Sequence, residues 1–216
     1  MREWVVDGSD GSAKSPILAR VRQRLEEAGL TVLVRAPFAM VNAERVQELA
    51  AAMDLGDEEL SQRQRLSADI FFLWADVLVG APAAIDLLSR AIERGRGEAM
   101  EIEADVLLWD RHWLTAMGEI GAWPHLVKRW GDDLPPLFFL WAPPSQTRSS
   151  RRFSEEIPWT SSDSTMAETN KRLEGLCEGP YKDRVAGRFE VRSRTQDLGP
   201  IVETITQTIL GGSAHR

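Results

Sequence analysis

Eight consecutive residues, Gly8-Ser9-Asp10-Gly11-Ser12-Ala13-Lys14-Ser15, have the types and spacing of a loop that wraps phosphate. Small residues let backbone N–H groups curl around phosphate oxygens. A lysine then reaches the outer phosphates, and a hydroxyl holds Mg²⁺. Gly8, Gly11, Lys14 and Ser15 fill those roles, and Lys14 reads as an exposed loop residue. One position departs from the pattern G-x-x-x-x-G-K-[S/T]: Ala13 stands where the second glycine belongs. Its methyl group costs something if the backbone there needs φ > 0 or a close approach.

A second constellation is Asp110-Arg111-His112, at the end of the apolar run Val106 to Trp109. A buried strand that ends in an acid delivers a carboxylate to the C-terminal edge of a sheet, where open α/β folds bind ligands. Asp110 there would orient Mg²⁺ or its waters, and Arg111 would hold a transferring or accepting phosphate as charge develops. The alternative is an exposed Asp-Arg turn.

Both constellations need strands to carry them. Short apolar runs suited to buried strands occur at 3–7, Leu30–Arg35, Val106–Asp110, Leu137–Trp141 and Arg188–Val191, alternating with helical patterns. That alternation predicts an α/β fold with a mainly parallel sheet. Ile17 to Ala28 reads as a helix with Leu18, Val21, Leu25 and Ala28 on one face, directly after the loop. Helices are expected near 43–53, from about 58 to 79, and from Pro82 to about Arg94, where Gly95 and Gly97 should close the last of them. Thr165-Met166-Ala167-Glu168 has capping-box spacing and should open a helix ending near Gly179-Pro180. Pro200 and Gly211-Gly212 should bracket a final one. The Arg- and Ser-rich stretch Thr147 to Ser164, after Pro143-Pro144, reads as a loop.

Composition narrows the classes. The 216 residues suit one domain, since single α/β domains reach about 200–250 residues. No signal pattern and no run of about 18 apolar residues is present, so neither secretion nor membrane insertion is expected. A net charge of -7 disfavours a nucleic-acid-binding surface. Cys177 reads as a packed helix residue, and His112, His125 and His215 are too widely spaced to suggest a zinc site. Of 26 basic residues only four are lysine, which leaves arginine as the available group for bidentate phosphate contacts.

With these landmarks in order, the chain resembles the thymidylate kinase family of P-loop nucleoside monophosphate kinases. Val6 to Ser15 looks like the family's opening strand and loop. Val34-Arg35-Ala36-Pro37 sits where the family has Thr-Arg-Glu-Pro, and Asp110-Arg111-His112 where it has Asp-Arg-Tyr or Asp-Arg-His. Leu137 to Pro144, followed by Arg148, Arg151 and Arg152, looks like its strand and arginine-bearing lid. The resemblance implies a three-layer P-loop kinase fold with a five-stranded sheet and a lid at about 145–164. It implies ATP and Mg²⁺ as cofactors and a homodimer, while charge and hydropathy point to a cytoplasmic protein without nucleic-acid or membrane partners. By the same resemblance Lys14 and Ser15 bind ATP and Mg²⁺, Arg35 and Arg111 the acceptor phosphate, and Arg151 and Arg152 the transferred phosphate. The lid arginines read equally well as a solvated charge run.

The departures cluster where the family reads its base. The family's Ala-Asp-Arg is here Ala75-Asp76-Val77, its small polar residue and tyrosine after the Asp-Arg pair correspond to Ala116 and Glu119, and Ala36 replaces a glutamate. Changing several buried hydrogen-bonding groups changes the ligand, so the implied reaction is phosphorylation of a nucleoside monophosphate other than dTMP. Glu119 would then meet a hydroxyl or amino group. Phe71, Phe72 and Trp74 form either an aromatic wall for a ring or part of the core. Two other readings stay open: a kinase for a hydroxyl of a nucleoside or nucleoside-like metabolite, and a nucleotide-binding module without catalysis.

Overall fold

The computed structural model describes residues 1–9, 11–41, 82–120, 131–143, 163–193 and 195–212. Five strands, β1 (Arg2–Gly8), β2 (Val32–Arg35), β3 (Val106–Asp110), β4 (Leu137–Trp141) and β5 (Val185–Glu190), form one sheet in the order β2-β3-β1-β4-β5. All four pairings are parallel. The longer helices that cover the sheet are α1 (Lys14–Glu27), α2 (Pro82–Glu101), α3 (Trp113–Ile120), α4 (Asp163–Glu178) and α5 (Gly199–Gly211).

Period-two alternation of the strands builds two cores. Val5, Leu107, Trp109, Leu137 and Phe139 pack on one face with α2, α3 and α4. Trp4, Val6, Val106, Leu108, Phe138 and Leu140 pack on the other with α1 and α5. Helix, sheet and helix thus form three layers. The same parity decides where polar strand ends face: Asp7 and Arg35 follow the first set, and Asp110 follows the second.

Several expected boundaries move. Helix α1 starts at Lys14, three residues before the apolar pattern, and buries Ile17, Leu18, Val21 and Leu25, while Ala28 is its C-terminal cap and exposed. Helix α4 opens at Asp163, ahead of the capping-box spacing, and β5 begins at Val185 and ends before Val191. The largest difference is α2, which runs through Gly95 and Gly97 to Glu101. Gly95 is a contact point instead of a stop: a Cβ there would lie 2.5 Å from the Trp109 ring. Removing the side chain lets α2 lie close over that ring, and packing overrides glycine's weak helix propensity. The helices expected at 43–53 and 58–79, and the segment at about 145–164, lie outside the described residues apart from Asp163 and Ser164 at the start of α4.

Candidate phosphate-binding site

The sequence runs from β1 into the loop and straight into α1, so the loop must turn sharply over the C-terminal edge of the sheet. Gly8 adopts φ 141°, and a Cβ there would sit 1.9 Å from the carbonyl oxygen of Leu140 on β4, which only glycine permits. Gly11 has φ 76°, and Ala13 takes φ 57°, ψ 32°, a left-handed conformation at the N-cap of α1. The departure noted at Ala13 is thus real strain, since a residue with a Cβ in this region costs roughly 1–2 kcal/mol.

Polar contacts hold the loop in this shape. The Ser9 N–H donates to Leu140 O at 3.0 Å, and Ser9 Oγ accepts from the Ala142 N–H at 2.8 Å, tying the loop to β4. Ser12 Oγ donates to Ser9 O at 2.7 Å. Lys14 is not an exposed loop residue: it is 7% exposed, and its Nζ donates to Gly8 O at 3.0 Å and Ser9 O at 2.7 Å. The loop carbonyls gather the ammonium into the curve of the loop, at the N-terminus of α1, where anions are favoured.

Ser15, one residue into α1, donates through Oγ to Asp110 Oδ2 at 3.3 Å. The sheet register brings the two together, because Val6 on β1 stands opposite Asp110 on β3. A cleft of about 420 Å³ opens beside this pair and runs along α1 past Ala19, Arg22 and Gln23 to Val34. A hydroxyl and a carboxylate are hard oxygen donors, and Mg²⁺ bound by one or two protein oxygens keeps several waters. Ser15 and Asp110 therefore fit that ion. Among the described residues no group of three or more His, Cys, Asp or Glu side chains gathers into a fuller metal cage.

The turn after Asp110 is strained as well. Arg111 has φ 68°, and its N–H donates to Val6 O at 3.0 Å. Arg35 ends β2, but its Nε donates to Glu98 of α2 at 2.5 Å, a half-buried ion pair absent from the sequence reading. Glu98 is reachable only because α2 continues past Gly95 and Gly97. Ala116 is packed in the core. Asp10, Phe72, Trp74, Val77, Arg148, Arg151, Arg152 and the Glu119 side chain lie outside the described residues.

Asp7 is the residue that motif reading missed. It is fully buried, and its carboxylate accepts from the Gly8 N–H at 2.7 Å, the Thr115 hydroxyl at 2.5 Å, and the N–H groups of Thr115 at 3.1 Å and His112 at 3.2 Å. Burial raises its pKa above the usual carboxylate range, against the pull of Thr115, Lys14, Gly8 and Arg111. The available signal was an acid directly after the apolar run Trp4–Val6. His112 is also buried, its pKa lowered from 6.5 to about 3 by desolvation. Its ring nitrogens have no hydrogen-bond partner among the described residues. It packs edge-on between Trp109 and Trp113.

Solved structures share this architecture. A shikimate kinase from Acinetobacter baumannii in complex with shikimate matches with a TM-score of 0.50 and 8% identity, over 100% of this chain and 96% of that one. The Thermus thermophilus protein TT1252 matches with a TM-score of 0.50 and 16% identity, over 99% and 98%. The fold is the P-loop kinase fold. No protein-family model and no curated protein matches the sequence. Among the described residues no helix is long and apolar enough to cross a membrane.

Proposed function

We propose that the protein is an ATP-dependent phosphotransferase resembling thymidylate kinase, whose acceptor is a nucleoside monophosphate other than dTMP. The observation that carries this reading is the Ser15–Asp110 pair at the mouth of a loop that encloses Lys14. The loop and the start of α1 would seat the phosphates of ATP, and Lys14 would neutralise charge on the group in flight. Ser15 and Asp110 would hold Mg²⁺, which supplies further charge neutralisation. Arg111, from its fixed turn, would grip the acceptor phosphate bidentately. A single domain, a closing arginine lid and a homodimer belong to the same proposal.

The restriction against dTMP rests on Val77, Ala116 and Glu119, where the family's cation and base-reading groups are replaced. A carboxylate beside an acceptor phosphate repels it, so Glu119 suits a hydroxyl or amino donor better.

A second reading, phosphorylation of a hydroxyl on a nucleoside-like metabolite, is favoured by one observation: Arg35 is paired with Glu98, which offsets the charge of one of the two arginines assigned to an acceptor phosphate. ADP formation with dTMP, dUMP, dCMP, CMP, UMP and unphosphorylated nucleosides under saturating ATP tests both. The first predicts kcat/KM of about 10⁴ M⁻¹s⁻¹ or more for a monophosphate other than dTMP, and efficient turnover of dTMP would refute the restriction. Turnover of unphosphorylated acceptors alone would establish the second reading, and ADP binding without turnover would leave a non-catalytic module.

A further inference from the structure

Asp7 joins, by hydrogen bonds, the segments that carry the groups assigned to phosphate and metal. On one side it accepts the N–H of Gly8, the first residue of the loop. On the other it accepts the N–H of His112 and both donors of Thr115, at the start of α3. Pairing of β1 with β3 already aligns the strands as far as Val6 and Asp110. The ladder does not set the turn beyond Asp110, where Arg111 adopts φ 68°. Hydrogen bonds to β1 bracket that residue: its own N–H goes to Val6 O, and the next N–H goes to Asp7 Oδ2.

Three backbone N–H groups and the Thr115 hydroxyl converge on two oxygens, an arrangement that an acceptor-only carboxylate satisfies. An asparagine would aim an NH₂ at another donor. Capping a helix does not require a buried charge, since Ser, Thr or Asn serve, and burying a carboxylate is costly unless its bonds are complete. The positive end of α3 and the nearby Lys14 and Arg111 offset part of that cost.

We propose that Asp7 is a positioning residue that holds the phosphate loop and the Asp110-Arg111 turn in one register, fixing Arg111 toward the acceptor. This rests on the phosphotransferase reading. Misplacing a reacting group by about 1 Å costs on the order of a hundredfold in rate, so the effect should fall on the acceptor side of the reaction.

The test uses the full chain and the best acceptor from the panel above, with ADP affinity measured separately by calorimetry. Asp7→Asn should lower acceptor kcat/KM about 10- to 100-fold while ADP affinity stays within about threefold of wild type. Thr115→Val should lower it by about threefold to tenfold, and Thr115→Ser, which keeps the hydroxyl, should restore it. Should Asp7→Asn fail to fold, the Val and Ser pair decides. The inference is overturned if folded Asp7→Asn keeps acceptor kcat/KM within threefold of wild type, if it loses ADP affinity in the same proportion as turnover, or if Thr115→Val matches Thr115→Ser. A wild-type protein that binds no ADP, or binds it and turns over no acceptor, refutes the phosphotransferase reading itself and the inference with it.

Discussion

Ser15 and Asp110 are 95 positions apart in the chain, and the hydroxyl of one lies 3.3 Å from the carboxylate of the other. The first turn of α1 supplies the hydroxyl, and the last residue of β3 supplies the acid. Asp110→Asn should therefore lower kcat and weaken Mg²⁺ dependence with little effect on acceptor KM, whereas Arg111→Ala should raise acceptor KM. Because Arg111 has φ 68°, Arg111→Gly should be more stable than Arg111→Ala by about 1 kcal/mol. Steady-state kinetics across a Mg²⁺ series and urea melts check both, and two variants with wild-type kinetics would reduce the pair to a structural turn.

Lys14→Ala should cost about 10²–10³-fold in turnover, the usual effect of removing a group that stabilises developing charge. Since Nζ bonds to Gly8 O and Ser9 O inside the loop, the variant should also lose about 1–2 kcal/mol of stability. Near-normal activity would mean that another residue neutralises the phosphates.

Ala13→Gly removes the left-handed strain at φ 57°. Stability should hold or rise by up to about 1 kcal/mol, because glycine's larger unfolded-state entropy takes back part of the gain. Nucleotide affinity should hold or improve. A large loss in calorimetric titration would show that the loop needs the methyl group.

The two glycines inside α2 should respond oppositely to alanine. Gly97→Ala, with nothing within 4 Å of its new Cβ, should gain about 1 kcal/mol of helix propensity. Gly95→Ala places its Cβ 2.5 Å from buried Trp109 and should lose about 1–3 kcal/mol. Thermal melts of the pair decide this, and two stabilised variants would mean that α2 rides higher over the sheet.

His112 should make the fold acid-sensitive. Its folded pKa is lowered to about 3 from 6.5, so its stabilising contribution is present above pH 6.5 and is lost as pH falls toward 3. Between pH 7 and 5 the wild type should lose about 2 kcal/mol relative to His112→Phe. Asp7, with its raised pKa, acts in the opposite direction but is common to both proteins and cancels in the difference. Urea midpoints at pH 7, 6 and 5 that change in parallel would show that His112 charges freely in the fold.

Local chemistry determined the turn from Gly8 to Ala13, the strand at Val106–Asp110 and the body of α1, because glycine spacing, apolar runs and a 3.6-residue period are written in neighbouring residues. Tertiary structure alone decided the rest. Lys14 is buried because loop carbonyls from Gly8 and Ser9 converge on it. Gly95 continues a helix because Trp109 lies beneath it. Arg35 meets Glu98, and Asp7 meets Thr115, across 63 and 108 positions. Such contacts depend on which helix crosses which face of the sheet, and no local pattern encodes that.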